Sequence, residues 1–158
     1  MYIYRRPIVY LLFSNSDKNL LEDLPIELEE LCRILYPLQK SKGLLVKTNT
    51  LNKVDTLFDD LVTLDGLCMF HFSGHSSQDV LKIGDDSLFI EGLVDIIKGI
   101  KSIKLIFLNG CSSKRFGELI KLDRSKCVIA TSSPISDSMA KDFSTSFYKA
   151  FVGGKTIS

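Results

Sequence analysis

The sequence has no tryptophan, only two histidines and no excess of charge of either sign. Its 158 residues include 20 Lys and Arg against 19 Asp and Glu, which leaves a formal charge of +1. Proteins that bind nucleic acid collect phosphates on a basic surface, so this balance argues against a nucleic-acid partner. Hydrophobic residues make up 45% of the chain, as in folded proteins, and the length is that of a single domain.

Long apolar runs are missing as well. No run approaches the roughly 18 residues that cross a bilayer, so the sequence predicts no membrane span. The first apolar run, Ile8–Phe13, is too short for the core of a secretory signal and is followed by no small-residue cleavage site. We therefore expect a cytoplasmic protein.

The cysteines form no C-x-x-C pair, and the histidines are too few for a zinc site of the usual spacing. The sequence therefore predicts no metal, and nothing in it requires an organic cofactor. In a reducing compartment every cysteine is a thiol. Cys68 and Cys127 fall in predicted strands and Cys32 on the apolar side of a predicted helix, so we expect these three in the core.

Apolar runs alternate with helical patterns along the whole chain. Continuous apolar runs predict strands that are covered on both faces, and apolar residues spaced by three and four predict helices between them. The main strands are predicted at Ile8–Phe13, Leu44–Lys47, Leu67–Phe72, Ile103–Leu108 and Cys127–Thr131. This alternation predicts an α/β fold, a three-layer α-β-α sandwich around a mainly parallel sheet.

Capping residues and prolines predict the helix ends. The first helix is expected over about Asp23–Tyr36, with Pro37 at its end. Thr50 is predicted to cap the second helix and Ser136 the last, which Gly153 ends.

Three smaller features complete the predicted fold. A hairpin is expected where Val80–Ile83 and Leu88–Ile90 flank Gly84–Ser87. A short helix is expected around Phe116–Leu122. The last helix carries an apolar stripe that is predicted to be core, formed by Met139, Phe143, Phe147 and Phe151.

Small polar residues follow three of the predicted strands. The third strand leads into His71-Phe-Ser-Gly-His75, the fourth into Asn109-Gly-Cys111, and the fifth into Ser132-Ser-Pro-Ile-Ser-Asp137. Ligands bind at the carboxyl ends of parallel strands. If the third and fourth strands are neighbours, about 4.8 Å apart, His75 and Cys111 can face one cleft. A Cys–His pair is suited to nucleophilic attack on an acyl carbon.

Together these motifs resemble the CHAT branch of the caspase-like cysteine peptidases, the clan of caspases, separases and gingipains. The resemblance rests on His71–His75, on Leu105–Cys111 and on Val128–Asp137 with the stretch Phe147–Lys155. It covers nearly the whole chain from Pro7 onward. It implies a caspase-like sheet with the flavodoxin-like strand order.

The resemblance also implies roles for individual residues. His75 matches the catalytic histidine and Cys111 the nucleophile. The oxyanion donors are then the backbone amides of Ser76 and Cys111, and Gly74 and Gly110 let the backbone approach a substrate carbonyl. His71 alternates with aromatic residues inside a strand and is expected to have a structural or supporting role.

A substrate pocket is less sharply indicated. Asp137 matches an acidic position of the branch near that pocket, and Ser132 and Ser133 stand in the same loop. An acid directly after Ser136 is equally expected at the first turn of a helix, where it meets the positive end of the macrodipole. Both interpretations of Asp137 stay open.

The sequence departs from the family in two places. Ser76 stands where related enzymes have glycine, and a positive φ there would cost serine more than glycine. The single domain, residues 1–158, ends at Thr156-Ile-Ser158, where the family fold continues with another helix and a last strand. We therefore expect a C-terminally truncated fragment of a longer chain.

The function implied by the resemblance is that of a cysteine endopeptidase. It would cleave a partner protein through a thioester, in bacterial defence or signalling, under the control of an attached or separate sensor domain. One alternative is a catalytically inactive interaction module on the same fold. A nucleotide-binding flavodoxin-like domain is disfavoured, because Ser14–Asp17 after the first strand is not a glycine-rich phosphate loop.

Overall fold

Strands and helices alternate in the computed structural model, which describes residues 6–111, 113–120 and 125–155. The strands are β1 (Ile8–Ser14), β2 (Leu45–Asn49), β3 (Leu67–Gly74), β4 (Val80–Ile83), β5 (Asp86–Phe89), β6 (Leu105–Asn109) and β7 (Cys127–Ala130). The helices are α1 (Leu24–Lys40), α2 (Val54–Thr63), α3 (Ile90–Gly99), α4 (Lys114–Ile120) and α5 (Asp137–Val152). Among the described residues, no helix is long and apolar enough to cross a membrane.

Five strands form one parallel sheet in the order β2-β1-β3-β6-β7. Counted along the chain within this sheet, the order is the doubly wound 2-1-3-4-5, in which the connections change direction between β1 and β3. Strands β4 and β5 pair with each other as an antiparallel hairpin outside the sheet. The predicted α/β class, the parallel sheet and the hairpin are confirmed.

Helices cover both faces of the sheet, which makes the predicted three layers. One core cluster joins the sheet to α2, α3 and α4, through residues such as Leu57, Leu93 and Phe116. The other joins it to α1 and α5, through Leu31 and Tyr148 among others. Every residue of β1 is buried, because this strand has a neighbour on each side and a helical layer on each face.

Two predicted helix boundaries are wrong. Helix α1 continues through Pro37 to Lys40, because a proline near the last turn removes few helical hydrogen bonds while Leu38 still packs against the core cluster. Helix α2 begins at Val54 and is not capped by Thr50. Asn52, which precedes it, has a φ of 53°, and a left-handed residue cannot be part of a right-handed helix.

The apolar stripe of the last helix is only partly core. Met139 is 61% exposed and Phe143 48% exposed, whereas Phe147 and Phe151 pack partly buried against the core. The buried face of α5 is one position further on, at Ala140, Ser144 and Tyr148. This face is buried because α5 packs against α1 and because Tyr148 lies in the same core cluster as residues of the sheet.

Cys127 is a second correction to the predicted core. Its strand, β7, has one neighbour among the described residues, β6, and Cys127 is exposed there, whereas Cys32 and Cys68 are partly buried. Ser136 caps α5 as predicted, since its Oγ accepts a hydrogen bond from the Met139 amide. Residues 121–122 of the predicted short helix and residues 156–158, at the expected truncation, lie outside the described residues.

Candidate active site

The two residues predicted to carry the chemistry follow neighbouring strands. Strands β3 and β6 are hydrogen-bonded to each other, with Ser73 opposite Asn109. His75 and Cys111 each stand two residues beyond that pair. Both line one narrow cavity of about 40 Å³, whose other walls come from the start of α1 and from Ile135–Asp137. His75 and Cys111 therefore border the same cavity.

Glycine is required at both turns because the backbones there are very close. A Cβ atom on Gly74 would lie 2.5 Å from the carbonyl oxygen of Ser14. A Cβ atom on Gly110 would collide with Ser76 Oγ and would lie 2.8 Å from the carbonyl oxygen of Gly74. The turn after β6 therefore lies directly against the turn after β3.

Ser76 links these two turns. Its Oγ donates a hydrogen bond of 2.6 Å to the carbonyl oxygen of Cys111. The bridge between Ser76 and Leu81 is made by the flanking amides of Ser77 and Lys82 and does not use the Ser76 amide. Ser76 is not among the described non-glycine residues with positive φ, so serine at this position carries no left-handed strain.

The imidazole of His75 is oriented by a backbone carbonyl. His75 Nε2 lies 2.7 Å from the carbonyl oxygen of Asn19. A carbonyl oxygen can only accept, so Nε2 carries the proton, and in the neutral ring Nδ1 keeps its lone pair. Asn15 shapes the loop that presents this carbonyl, because its side chain accepts from the Leu21 amide and donates to the Leu21 carbonyl.

Cys111 is half-buried beside the start of the last helix. Its Sγ lies 3.7 Å from the carbonyl oxygen of Ile135, a long contact in which the thiol is the donor. The turn before Cys111 is held by the Thr131 hydroxyl, which donates to the carbonyl of Gly110. The thiol therefore lies at the inner wall of the cavity and is only partly open to solvent.

The three predicted pocket residues do not lie together. Asp137 lines the cavity that contains Cys111 and is also the first residue of α5. Its carboxylate accepts a hydrogen bond of 2.8 Å from the Asp23 amide at the start of α1. Ser132 and Ser133 line a different cavity of about 360 Å³, next to Met139 and Phe143. Asp137 is thus the first residue of α5, as one interpretation of the sequence predicts, and it also borders the cavity of Cys111. Its role near a substrate pocket stays a prediction.

A larger cavity of about 400 Å³ lies on the other side of His75. The loop after β1, the turn after β3 and the β4–β5 hairpin enclose it. Lys18 and Lys82 line it together with Asp85. Asp85 pairs with Lys18 at 3.5 Å and accepts a hydrogen bond from Ser16, which holds the pKa of this carboxyl below its usual value. His75 therefore borders both cavities.

Beneath the floor of the site lies a buried acid that sequence reasoning missed. Glu27 is 1% exposed and accepts hydrogen bonds of 2.7 Å from Ser73 Oγ and from Asn109 Nδ2. Burial raises the pKa of its carboxyl, and hydrogen bonding with the side chains of Ser144, Ser73 and Asn109 opposes that rise. A signal was present in the sequence, because Glu27 falls on the apolar stripe of α1, between Leu24 and Leu31.

His71 is structural, as its strand pattern indicates. It is completely buried and stacked between the rings of Phe13 and Phe107. Burial lowers its pKa to about 3, so the ring is neutral at physiological pH. Its Nε2 lies 3.7 Å from Glu27 Oε1, too far for a hydrogen bond. With a neutral ring, this contact is not an ion pair.

No protein-family model matches the chain, and no curated protein matches it either. In the part of the chain that the structure describes, no group of three or more His, Cys, Asp or Glu side chains converges on a position where a metal ion could bind.

Proposed function

We propose that the chain is a cysteine endopeptidase domain of the caspase-like CHAT type, which cleaves a peptide bond in a partner protein. The observation that carries this proposal is one shared cavity, lined by His75 and Cys111 from neighbouring strands. The Asn19 carbonyl supports it further, because it occupies Nε2 of His75 and leaves Nδ1 as the proton acceptor. A separate acidic third residue is then unnecessary.

In the proposed reaction, Cys111 Sγ attacks the carbonyl carbon of the scissile bond and transfers its proton to His75 Nδ1. The substrate oxygen becomes an oxyanion, which the amides of Ser76 and Cys111 stabilise as hydrogen-bond donors. The tetrahedral intermediate collapses to a thioester, and the amine leaves with the proton from His75. Water then gives a proton to His75 and attacks the thioester, and the released thiolate takes that proton back.

The proposed setting follows from the same family resemblance. The substrate is a protein segment that approaches His75 from the larger cavity and inserts its scissile carbonyl beside Cys111. The enzyme acts in the cytoplasm, in bacterial defence or signalling, and a sensor domain, attached or separate, regulates it. Regulation of this kind fits a cavity that is narrow around the thiol.

The test uses a thiol-directed peptide probe and a peptide library. Cys111→Ala should abolish both cleavage and covalent labelling, and His75→Ala should reduce both by at least about a hundredfold, the range of a lost general acid–base. Because Cys127 is exposed, the labelled cysteine is identified by mass spectrometry of the 105–114 and 127–141 tryptic peptides.

Cys68→Ala and Cys127→Ala are the matched controls for this experiment. Both should leave cleavage and labelling of Cys111 unchanged, since neither residue lines the cavity. Equal loss in a control variant, or undiminished cleavage in Cys111→Ala, would reject the assignment.

One observation favours the alternative, a catalytically inactive interaction module. The cavity around Cys111 is only about 40 Å³, and the thiol already contacts the Ile135 carbonyl. The inactive module predicts a folded protein whose Cys111 reacts with no peptide probe, even at high probe concentration. Labelling of Cys111 at low concentration excludes it.

A further inference from the structure

The strongest unexplained feature near the site is the buried carboxyl group of Glu27. An ionisable side chain at 1% exposure is rare in proteins unless its oxygens have partners. Here each oxygen accepts a hydrogen bond, Oε2 from Ser73 and Oε1 from Asn109. Glu27 belongs to α1, whereas its two partners belong to different strands of the sheet.

The positions of the two partners matter more than their number. Ser73 stands two residues before His75 on β3, and Asn109 stands two residues before Cys111 on β6. Ser73 and Asn109 also face each other in the register of the two strands. One carboxyl group therefore holds both strand ends, immediately before the residues that reach the cavity.

A further contact extends this link to the opposite wall of the cavity. Asn109 Nδ2 also donates a hydrogen bond of 2.9 Å to the carbonyl oxygen of Ala140 on α5. Helix α5 begins with Asp137, which lines the cavity and accepts a hydrogen bond from the start of α1. The floor and one wall of the cavity are thus joined through Glu27 and Asn109.

We propose that Glu27 is a positioning residue, whose carboxyl group holds the ends of β3 and β6 so that His75 and Cys111 face one cavity. The proposal rests on the proposed function only in assigning the chemistry of that pair. Loss of the carboxyl group leaves the Ser73 hydroxyl and an Asn109 N–H buried without their acceptor. Such groups are costly, so the strand ends must move to find other partners. A displacement of about 1 Å is enough to impair a reaction strongly.

The test compares Glu27→Leu, which removes both acceptors, with Glu27→Gln, which keeps the shape. Glutamine can accept from Asn109 through its oxygen and donate to Ser73 through its amide. Leu31→Ala is the matched control, because Leu31 is fully buried on the same helix. Its loss destabilises the fold, and its apolar side chain forms no hydrogen bond with Ser73 or Asn109. The readout is the rate at which iodoacetamide alkylates Cys111, followed by mass spectrometry of the 105–114 peptide.

The expected result is a slowing of Cys111 alkylation by at least about tenfold in Glu27→Leu, because the thiol loses its aligned base. Glu27→Gln should stay within about threefold of the unmodified protein, and so should Leu31→Ala despite a lowered melting temperature. Alkylation of exposed Cys127 should be the same in all variants. If Glu27→Leu does not fold, Ser73→Ala, which removes one of the two hydrogen bonds, should slow Cys111 alkylation by more than threefold.

Two outcomes would overturn the proposal. One is an unchanged rate of Cys111 alkylation in folded Glu27→Leu or in Ser73→Ala. The other is an equal slowing in Leu31→Ala, which would attribute the effect to stability alone. Alkylation needs no substrate, so the experiment separates the two proposals. The expected order of rates without any peptide cleavage would refute the endopeptidase and keep Glu27 as a positioning residue. Undiminished peptide cleavage by Glu27→Leu would keep the endopeptidase and refute the positioning role of Glu27.

Discussion

At the scale of single residues, the buried polar groups under the cleft are unevenly satisfied. Glu27 accepts hydrogen bonds from Ser73 and Asn109, whereas both ring nitrogens of His71 and the hydroxyl of Tyr148 have no hydrogen-bond partner among the described residues. His71 stays buried because its neutral ring stacks between aromatic rings. A buried ring without partners is tolerated only while it remains uncharged.

This state of His71 makes the protein sensitive to acid. The pKa of His71 is about 3 in the folded state, against 6.5 for the free side chain. Between these values the unfolded chain binds more protons, so stability falls as pH falls, by about 1.4 kcal/mol for each pH unit. Glu27, whose pKa is raised above 4.5, has the opposite effect: above about pH 4.5 its contribution to stability increases as pH falls. We expect His71→Phe to lose less stability than the unmodified protein between pH 6.5 and pH 5.

The measurement is the urea midpoint of both proteins at pH 7 and at pH 5. Phenylalanine keeps the stacking and removes the titration, so the difference between the two pH values isolates the histidine. An identical loss in the two proteins would contradict the argument. Tyr148→Phe is a suitable control, because it alters the same cluster and removes no group that titrates between these pH values.

At the scale of elements, the site depends on the contact between two turns. The turn after β6 touches the turn after β3 through Gly110, Gly74 and Ser76. The two backbones are so close here that a Cβ atom on Gly74 or Gly110 would not fit. The turns that carry His75 and Cys111 are therefore in contact through backbone atoms and the Ser76 side chain. The loop after β1 adds the third part, the Asn19 carbonyl.

Gly110→Ala tests this contact. The added methyl group would overlap Ser76 Oγ and approach the Gly74 carbonyl, so the turns must separate, at a cost of about 1–3 kcal/mol in the free energy of unfolding. Labelling of Cys111 by the peptide probe should fall together with the stability.

Gly92→Ala on α3 is the control, because a Cβ atom there meets nothing within 4 Å and alanine should stabilise the helix by roughly 0.5–1 kcal/mol. Urea unfolding measures the change in the free energy of unfolding, which should be negative for Gly110→Ala and positive for Gly92→Ala. A change of the same sign in both variants would contradict the argument.

At the scale of the whole molecule, stability should be graded across the sheet. Strand β1 is paired on both sides and buried throughout. In contrast, β2 and β7 lie at the two ends of the described strand order and are partly exposed. Opening free energies are highest for buried strands with complete pairing. The candidate site follows β3 and β6, near the middle of this order.

Hydrogen exchange measures this gradient. We expect the amides of β1 to exchange more than about tenfold more slowly than those of β7, and β2 to resemble β7. Peptide-level mass spectrometry at neutral pH resolves the three strands. Protection of β7 equal to that of β1 would show that this edge does not open more readily than the centre of the sheet.

The sequence by itself determined the class of the fold and the positions of the candidate site residues along the chain. Continuous apolar runs arise where a strand is covered on both faces, so the strands at Ile8–Phe13 and Leu67–Phe72 could be predicted from the sequence. The residues that follow such strands lie at one edge of the sheet, and His75 and Cys111 are two of them. These are local patterns, and each depends on the residues of a single element.

Only the tertiary structure decided which elements are neighbours. The pairing of β3 with β6, the Asn19 carbonyl on His75 and the link from Glu27 to both strand ends join residues that are far apart in sequence. The exposure of Cys127 and Met139 likewise depends on what lies beside β7 and α5. Periodicity shows which face of an element is apolar, but the partner of that face follows from how the whole chain fills its core.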